Sequence, residues 1–123
     1  MKTIDQQVRD FVLSDVSGMK IGIEEFIEMH NEGKAILLDI RMPFETAAWG
    51  VHFSQNIPYN ELPDRLDELP EDKAIVCGCP KEYRSSMAKE YLRFKGYEAK
   101  TLSGGLTAFV EYLSGGKAKR IQL

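Results

Sequence analysis

From Ala35 to Leu38 every residue is apolar, and the run stops at Asp39. A strand with one wet face alternates apolar and polar side chains, so an unbroken run needs cover on both faces, as in a parallel sheet flanked by helices. Ile75 and Val76 make a second such run, with a strand predicted over 74–77. Shorter strands are expected around Lys20-Ile21, bracketed by Gly18 and Gly22, and over 97–102. Between them the apolar residues fall at helical spacing. Ile23, Phe26 and Ile27 mark a helix that stops near Gly33, and Leu62, Leu66 and Leu69 mark one over 60–70 ended by Pro70. A third helix starts at Ser85 and runs to Lys95 with Gly96 as its left-handed stop. The last turns Leu106, Phe109, Val110 and Leu113 inward. Strands alternating with helices of these lengths predict an α/β domain built on a mostly parallel sheet with helices on both faces.

At 123 residues, 43% hydrophobic and 28% charged, the chain supports one domain with a substantial core and is too short for two. A net charge of −3 argues against a nucleic-acid surface, which carries a basic excess. No apolar run approaches the length of a membrane span, and Asp5, Arg9, Asp10 and Asp15 break up the stretch where a signal peptide needs an apolar core. A cytoplasmic protein is expected. Ile4, Val8, Phe11 and Val12 fall at helical spacing, so residues 1–18 read as a helical extension that packs over a sheet edge or an exposed face or, alternatively, docks a partner. Residues 19–114 form the domain, and Gly115-Gly116 introduces a basic tail over 115–123, flexible or packed at an edge. His30, at a helix end, reads as a solvated residue and not a metal ligand. Asp64, Asp67 and Glu68 read as a solvated helix face.

The chemistry concentrates in residues 74–86, where a strand hands over to a helix through Cys79-Pro80-Lys81-Glu82-Tyr83-Arg84-Ser85. Amides at a helix start have no helical acceptor and favour a thiolate or oxyanion held against them. The thiolate is the nucleophilic form of a cysteine, and Cys79 is placed to be it. Ligands of open parallel sheets bind beyond the carboxyl ends of the strands, the edge on which Cys79 falls. Four residues separate Cys79 from Arg84, and six separate Cys77 from it. Neither count matches the cysteine phosphatases, whose loop is one residue wider than the Cys79 loop. Cys77 reads as a small buried core residue, not a resolving thiol. The two cysteines, one residue apart, are poorly placed for a disulfide across extended backbone.

The narrower loop closed by Arg84-Ser85 resembles that of the rhodanese (sulfurtransferase) family. Other segments between about Lys20 and Phe109 carry the same resemblance: the strand ending Asp39-Ile40-Arg41, the turn Pro43-Phe44-Glu45, the stretch Asn56-Ile57-Pro58 with Glu61-Leu62, and the Gly104-Gly105 turn before the last helix. It implies a rhodanese-like five-stranded sheet, to which the helix read from spacing at the N-terminus is an addition. It also implies a cysteine that takes up sulfur as a persulfide and passes it to a thiophilic acceptor, without metal or organic cofactor. Donors would be a small anion such as thiosulfate or a persulfide-bearing protein. Cys79 would be the catalytic nucleophile, Pro80, Lys81, Glu82, Tyr83, Arg84 and Ser85 would hold the substrate, and Asp39 and Arg41 would support the pocket wall, most simply as a fold-stabilising ion pair. Glu45 is expected to cap the short helix over 44–48, with substrate contact as the alternative.

Two positions depart from the family's loop. Pro80 stands where a basic residue is usual and removes an amide donor. Glu82 stands where a glycine is usual. At about 7 Å from the sulfur its charge would repel an anion by roughly 2.4 kcal/mol at an effective dielectric near 20, but by only about 0.6 kcal/mol in bulk water, so its direction decides its effect. His52 is displaced from the family's histidine and is not equated with it. These departures leave a catalytically weak rhodanese-like binding or regulatory module as the alternative function, with a cysteine phosphatase or arsenate reductase behind it.

Overall fold

The computed structural model describes residues 3–13, 16 and 18–123. Its sheet has five strands, β1 (Lys20–Ile21), β2 (Ala35–Asp39), β3 (Gln55–Asn56), β4 (Ala74–Gly78) and β5 (Ala99–Leu102), in the order β1-β5-β4-β2-β3. Every neighbouring pair is parallel. The apolar β2 and β4 lie side by side at the centre, with Leu38 opposite Cys77 and Asp39 opposite Gly78. Their alternate side chains supply two cores. Ala35, Leu37, Ala74 and Val76 pack with Phe26 of α2 (Ile23–Asn31) and with Leu106 and Phe109 of α6 (Gly105–Leu113). Leu38, Ile75, Cys77 and Cys79 pack with Leu62 of α4 (Leu62–Arg65) and with Ala88 and Leu92 of α5 (Tyr83–Phe94). The doubly covered parallel sheet expected from the unbroken apolar runs is therefore present.

Several elements differ from the sequence reading. The helix over 60–70 is broken into 3-10 turns on either side of α4, over Tyr59–Glu61 and Leu66–Glu68. Pro63 has no amide with which to run a helix through from residue 59. Its apolar residues still do their work, since Leu62 and Leu69 are buried. Helix α5 starts two residues earlier than expected, at Tyr83, and β5 starts two later, at Ala99. Val110 is exposed, because the sheet-facing stripe of α6 is narrow and is filled by Leu106 and Phe109.

The termini differ too. Helix α1 (Ile4–Arg9) forms with a capping box between Thr3 and Gln6, yet it buries none of its residues, and Phe11 and Val12 lie beyond its end. Ile4, Val8, Phe11 and Val12 are all exposed, so none is buried against a sheet edge, but Val8 and Phe11 line a groove together with Arg93 and Phe94 of α5. Residues 1, 2, 14, 15 and 17 of the expected 1–18 extension, Asp15 among them, lie outside the described residues. At the other end the basic tail is edge-packed. It forms a 3-10 stretch over Gly115–Arg120, and Ile121 is buried. Asn31 donates to the Arg120 carbonyl at 2.7 Å and accepts from the Gln122 amide at 2.8 Å. His30 is not simply solvated: its Nε2 lies 2.8 Å from the Gln122 carbonyl, and its ring packs between Phe26 and Phe53. A helix end that sequence shows as exposed is covered by a segment ninety residues away, and periodicity carries no information about that.

Asp39 and Arg41 fix the exit of the central strand. Both are 1% exposed, and the Arg41 guanidinium donates to the Asp39 carboxylate from Nε at 3.0 Å and from Nη2 at 2.8 Å. Arg41 Nη2 also donates to the Trp49 carbonyl at 3.0 Å, and the guanidinium lies 4.0 Å from the Trp49 ring centroid. The Asn56 side-chain amide donates to the carbonyls of both Asp39 and Arg41, which stitches β3 to the end of β2. Removing one partner of such a pair strands a buried charge, at a cost of about 3–5 kcal/mol. Asp39→Ala should lower unfolding stability by about that amount in urea titrations. A loss below about 1 kcal/mol would show that the pair is a surface-like contact with no grip on the fold.

Candidate active site

Cys79 is the first residue after β4, and the chain from it to α5 forms the loop beneath the helix start. The loop is clamped from outside by α6. The Leu106 amide donates to the Cys79 carbonyl at 2.8 Å, and the Thr107 amide donates to the Pro80 carbonyl at 3.3 Å. Two glycines permit this approach. A Cβ on Gly105 would lie 2.1 Å from the Lys81 carbonyl oxygen, and Gly105 sits at φ +74, where a side chain is strained. A Cβ on Gly78 would come within 2.7 Å of the Leu106 side chain. Gly105 belongs to the Gly-Gly turn singled out in the sequence. Gly78 was not singled out; its only signal there is a glycine ending a strand next to a cysteine.

The sulfur itself has polar company. Cys79 is 2% exposed, the Ser85 amide donates to its Sγ at 3.3 Å, and the thiol lies 3.3 Å from Ser85 Oγ, to which it donates. Ser85 Oγ in turn donates to the Glu82 carbonyl at 3.2 Å. A hydroxyl rotates freely, so on loss of the thiol proton the same Ser85 oxygen can turn and donate to the sulfur. Among the described residues the amides of Lys81, Glu82, Tyr83 and Arg84 donate to no protein acceptor. The loop thus holds unpaired donors next to a cysteine, the raw material of an anion cradle. Pro80 contributes no amide to it.

The loop's charged residues point away from one another. Glu82 ends the uncertainty over its direction: its carboxylate pairs with Lys20 at 2.5 Å and accepts from the Gly104 amide at 2.8 Å. Lys20 chiefly, helped by that amide, holds the Glu82 carboxyl below its ordinary value. Its charge is matched within the chain, and its carboxylate ties the loop to β1 and to the Gly-Gly turn. Arg84 forks onto Glu45 of α3 (Pro43–Ala48), with bonds of 2.6 and 2.8 Å. Glu45 also accepts from the Met42 amide at 3.1 Å, so it does cap its helix as expected. The Arg84 guanidinium holds the Glu45 carboxyl down to about 2, and the Met42 amide adds to the effect. Arg84 lies within electrostatic reach of Cys79 and Asp39. Tyr83 and Lys81 are exposed. Cys77 is fully buried on the same side of the sheet as Cys79, and burial pushes its thiol up to about 12. Among the described residues no group of three or more His, Cys, Asp or Glu side chains is arranged so that it could hold a metal ion.

Sequence comparison decides the lineage. The rhodanese-like domain profile matches residues 22–112, most of the chain. The chain belongs to the rhodanese-like domain family. A protein named "Sulfurtransferase" from Allochromatium vinosum is 33% identical over 78 residues, which cover 63% of this chain and 73% of that one. The crystal structure of reduced Bacillus anthracis CoADR-RHD superposes with a TM-score of 0.72 at 32% identity, covering 89% of this chain but only 19% of that much larger one. Human single-domain sulfurtransferase TSTD1 superposes with a TM-score of 0.68 at 26% identity, covering 75% of this chain and 95% of that one. The five-stranded sheet matches the architecture that the resemblance implied, and helix α1 stands ahead of it as the apolar spacing predicted. No helix among the described residues is long and apolar enough to cross a membrane.

The Arg84–Glu45 pair makes a pH signature. The folded-state carboxyl of Glu45 is depressed to about 2 from an ordinary 4.5, so its stabilising contribution is present above about 4.5 and is lost as pH falls towards 2. The stability difference between the wild type and Glu45→Gln, read from urea midpoints, should shrink across that window. A difference that stays constant there would place the origin of Glu45's contribution in something other than its charge.

Proposed function

We propose that this rhodanese-like domain is a sulfurtransferase or persulfide carrier in which Cys79 holds the sulfur. The observation that carries the reading is the pairing of the Ser85 amide and hydroxyl with Cys79 Sγ, beneath a helix start whose preceding amides have no protein acceptor. The Cys79 thiolate attacks the outer sulfur of thiosulfate or of a thiol persulfide. A bond forms between Sγ and that sulfur, the donor's S–S bond breaks, and its electron pair leaves on sulfite or on the donor thiolate. The new persulfide lies against the loop amides of Lys81 to Ser85, where preorganised donors stabilise negative charge. A thiophilic acceptor such as cyanide, a thiol or a partner protein then removes the outer sulfur and returns the thiolate. The cycle is ping-pong and calls for no metal or organic cofactor. Asp39 and Arg41 serve as positioning residues, holding the strand exit beside the loop. The reduced pair of cysteines suits the cytoplasm.

A second reading, a rhodanese-like binding or regulatory module with little turnover, is favoured by one observation: Cys79 is 2% exposed, so a donor must open the loop to reach it. Intact-protein mass measurement separates the two. After treatment with a sulfane-sulfur donor, the wild type and Cys77→Ser should each gain a single sulfur that cyanide removes, and Cys79→Ser should gain none. Equal loading of Cys79→Ser would refute the site. A wild type that stays unloaded would favour the module.

A further inference from the structure

Both places where the cysteine loop departs from the family's pattern act in the same direction, towards a loop held shut. Pro80 has its φ fixed by its ring, and its carbonyl is taken by the Thr107 amide at 3.3 Å. Glu82 stands where a glycine, with its wide backbone freedom, is usual. Its carboxylate reaches out of the loop in two directions, to Lys20 of β1 at 2.5 Å and to the Gly104 amide at 2.8 Å. Lys81 and Tyr83, on either side of it, are exposed, and neither side chain ties the loop to any other described residue. Between Pro80 and Arg84, Glu82 is therefore the one side chain that anchors the loop among the described residues, and Cys79 beneath that loop is 2% exposed. The anchor lies where solvent can work on it. The Lys20 and Glu82 side chains are 61% and 29% exposed, so water and salt reach the pair, and it breaks without disturbing the core.

We propose that Lys20 and Glu82 are positioning residues that latch the cysteine loop over Cys79, so that access to the sulfur follows the making and breaking of this one exposed pair. The proposal deepens the sulfurtransferase reading, and rests on it for the reaction that the latch controls. With the pair made, the middle of the loop is tied to β1 and to the Gly-Gly turn. With the pair broken, residues 81–83 swing outward, while Arg84 on Glu45 and Ser85 on the sulfur keep the far end in place. Glu82 thus acts through the position of the loop and not through repulsion of an incoming anion, since Lys20 already matches its charge. The two roles predict different behaviour when Lys20 loses its charge. A repelling carboxylate, laid bare, slows an anionic reagent and leaves a neutral one alone. A released latch speeds the neutral reagent.

The test measures alkylation of Cys79 in the reduced full chain by neutral iodoacetamide and by anionic iodoacetate, with the adduct located by fragment mass. Rates are read on the plateau of the pH profile, where the thiol is fully ionised, which separates a change in access from a change in ionisation. Lys20→Gln, and Glu82→Gln, which keeps an oxygen for the Gly104 amide, should each raise the iodoacetamide plateau about threefold to fivefold, the range an exposed ion pair supports. The double variant should add nothing to the larger single effect, because the two residues act as one contact. In the wild type the iodoacetamide plateau should rise about twofold between about 0.05 and about 0.5 M potassium chloride, and in the variants it should stay level. Iodoacetamide rates that both single variants leave at the wild-type value overturn the latch. So does a Lys20→Gln protein in which iodoacetate slows and iodoacetamide does not change, which would make Glu82 an electrostatic screen. A wild-type rate that salt leaves unmoved overturns it even if neither variant folds. Sulfur loading of Cys79 is scored apart from these rates. A chain that loads but shows no latch keeps the sulfurtransferase reading, and one that shows the latch but never loads loses that reading alone.

Discussion

The close approach of helix α6 to the cysteine loop is the constraint on which the rest of the site depends. The carbonyls of Cys79 and Pro80 are bound by the Leu106 and Thr107 amides, so the loop is held from the far side by the start of another helix. Those carbonyls are thereby satisfied without drawing on the loop's own amides, which stay available between Lys81 and Arg84. The geometry has no room for a side chain at Gly105, whose Cβ would collide with the Lys81 carbonyl, and little at Gly78. A loop of six or seven residues has too few internal bonds to hold one shape. It is given that shape by its neighbours: α6 beneath, Glu82 tied to Lys20 and Gly104 on one side, and Arg84 tied to Glu45 on the other.

This division of labour makes the loop's charged residues structural before they are chemical. Glu82, which in isolation would repel an anion, serves as a tether from the head of α5 to β1 and the Gly-Gly turn. Arg84, which in isolation would attract one, faces a carboxylate already seated. Around the sulfur itself the contacts are made by Ser85, whose amide and hydroxyl both reach it. Hydrogen bonds from neutral groups act at short range, so this site's pull on charge is local and shows weakly at a distance.

Much of this was legible in the sequence. The unbroken run from Ala35 to Leu38 read as a doubly covered strand, and the alternation of runs and helical stripes led to the parallel sheet. The placement of Cys79 at a strand's carboxyl end followed from the same pattern. What sequence did not carry were contacts between distant segments. The direction of Glu82 depends on Lys20, sixty-two residues earlier, and the clasp of Asn31 and His30 on Gln122 joins opposite ends of the domain. The stripe on Ile4, Val8, Phe11 and Val12 shows the opposite error. Periodicity reports that a helix has an apolar face, and not that anything covers it. The helix read as one piece over 60–70 failed for a local reason, since Leu residues at inward spacing are served as well by 3-10 turns around Pro63 as by a continuous helix.

Cys77 is two residues before Cys79, on the same side of the sheet, and its burial keeps the proton on its thiol far beyond neutral pH. A second cysteine so near an outer sulfur would ordinarily invite internal rescue: attack, release of hydrosulfide and closure of a disulfide. With its sulfur protonated and enclosed by packed side chains, Cys77 cannot begin that reaction. A sulfur carried on Cys79, as proposed, would therefore leave through an acceptor from solution and not through Cys77.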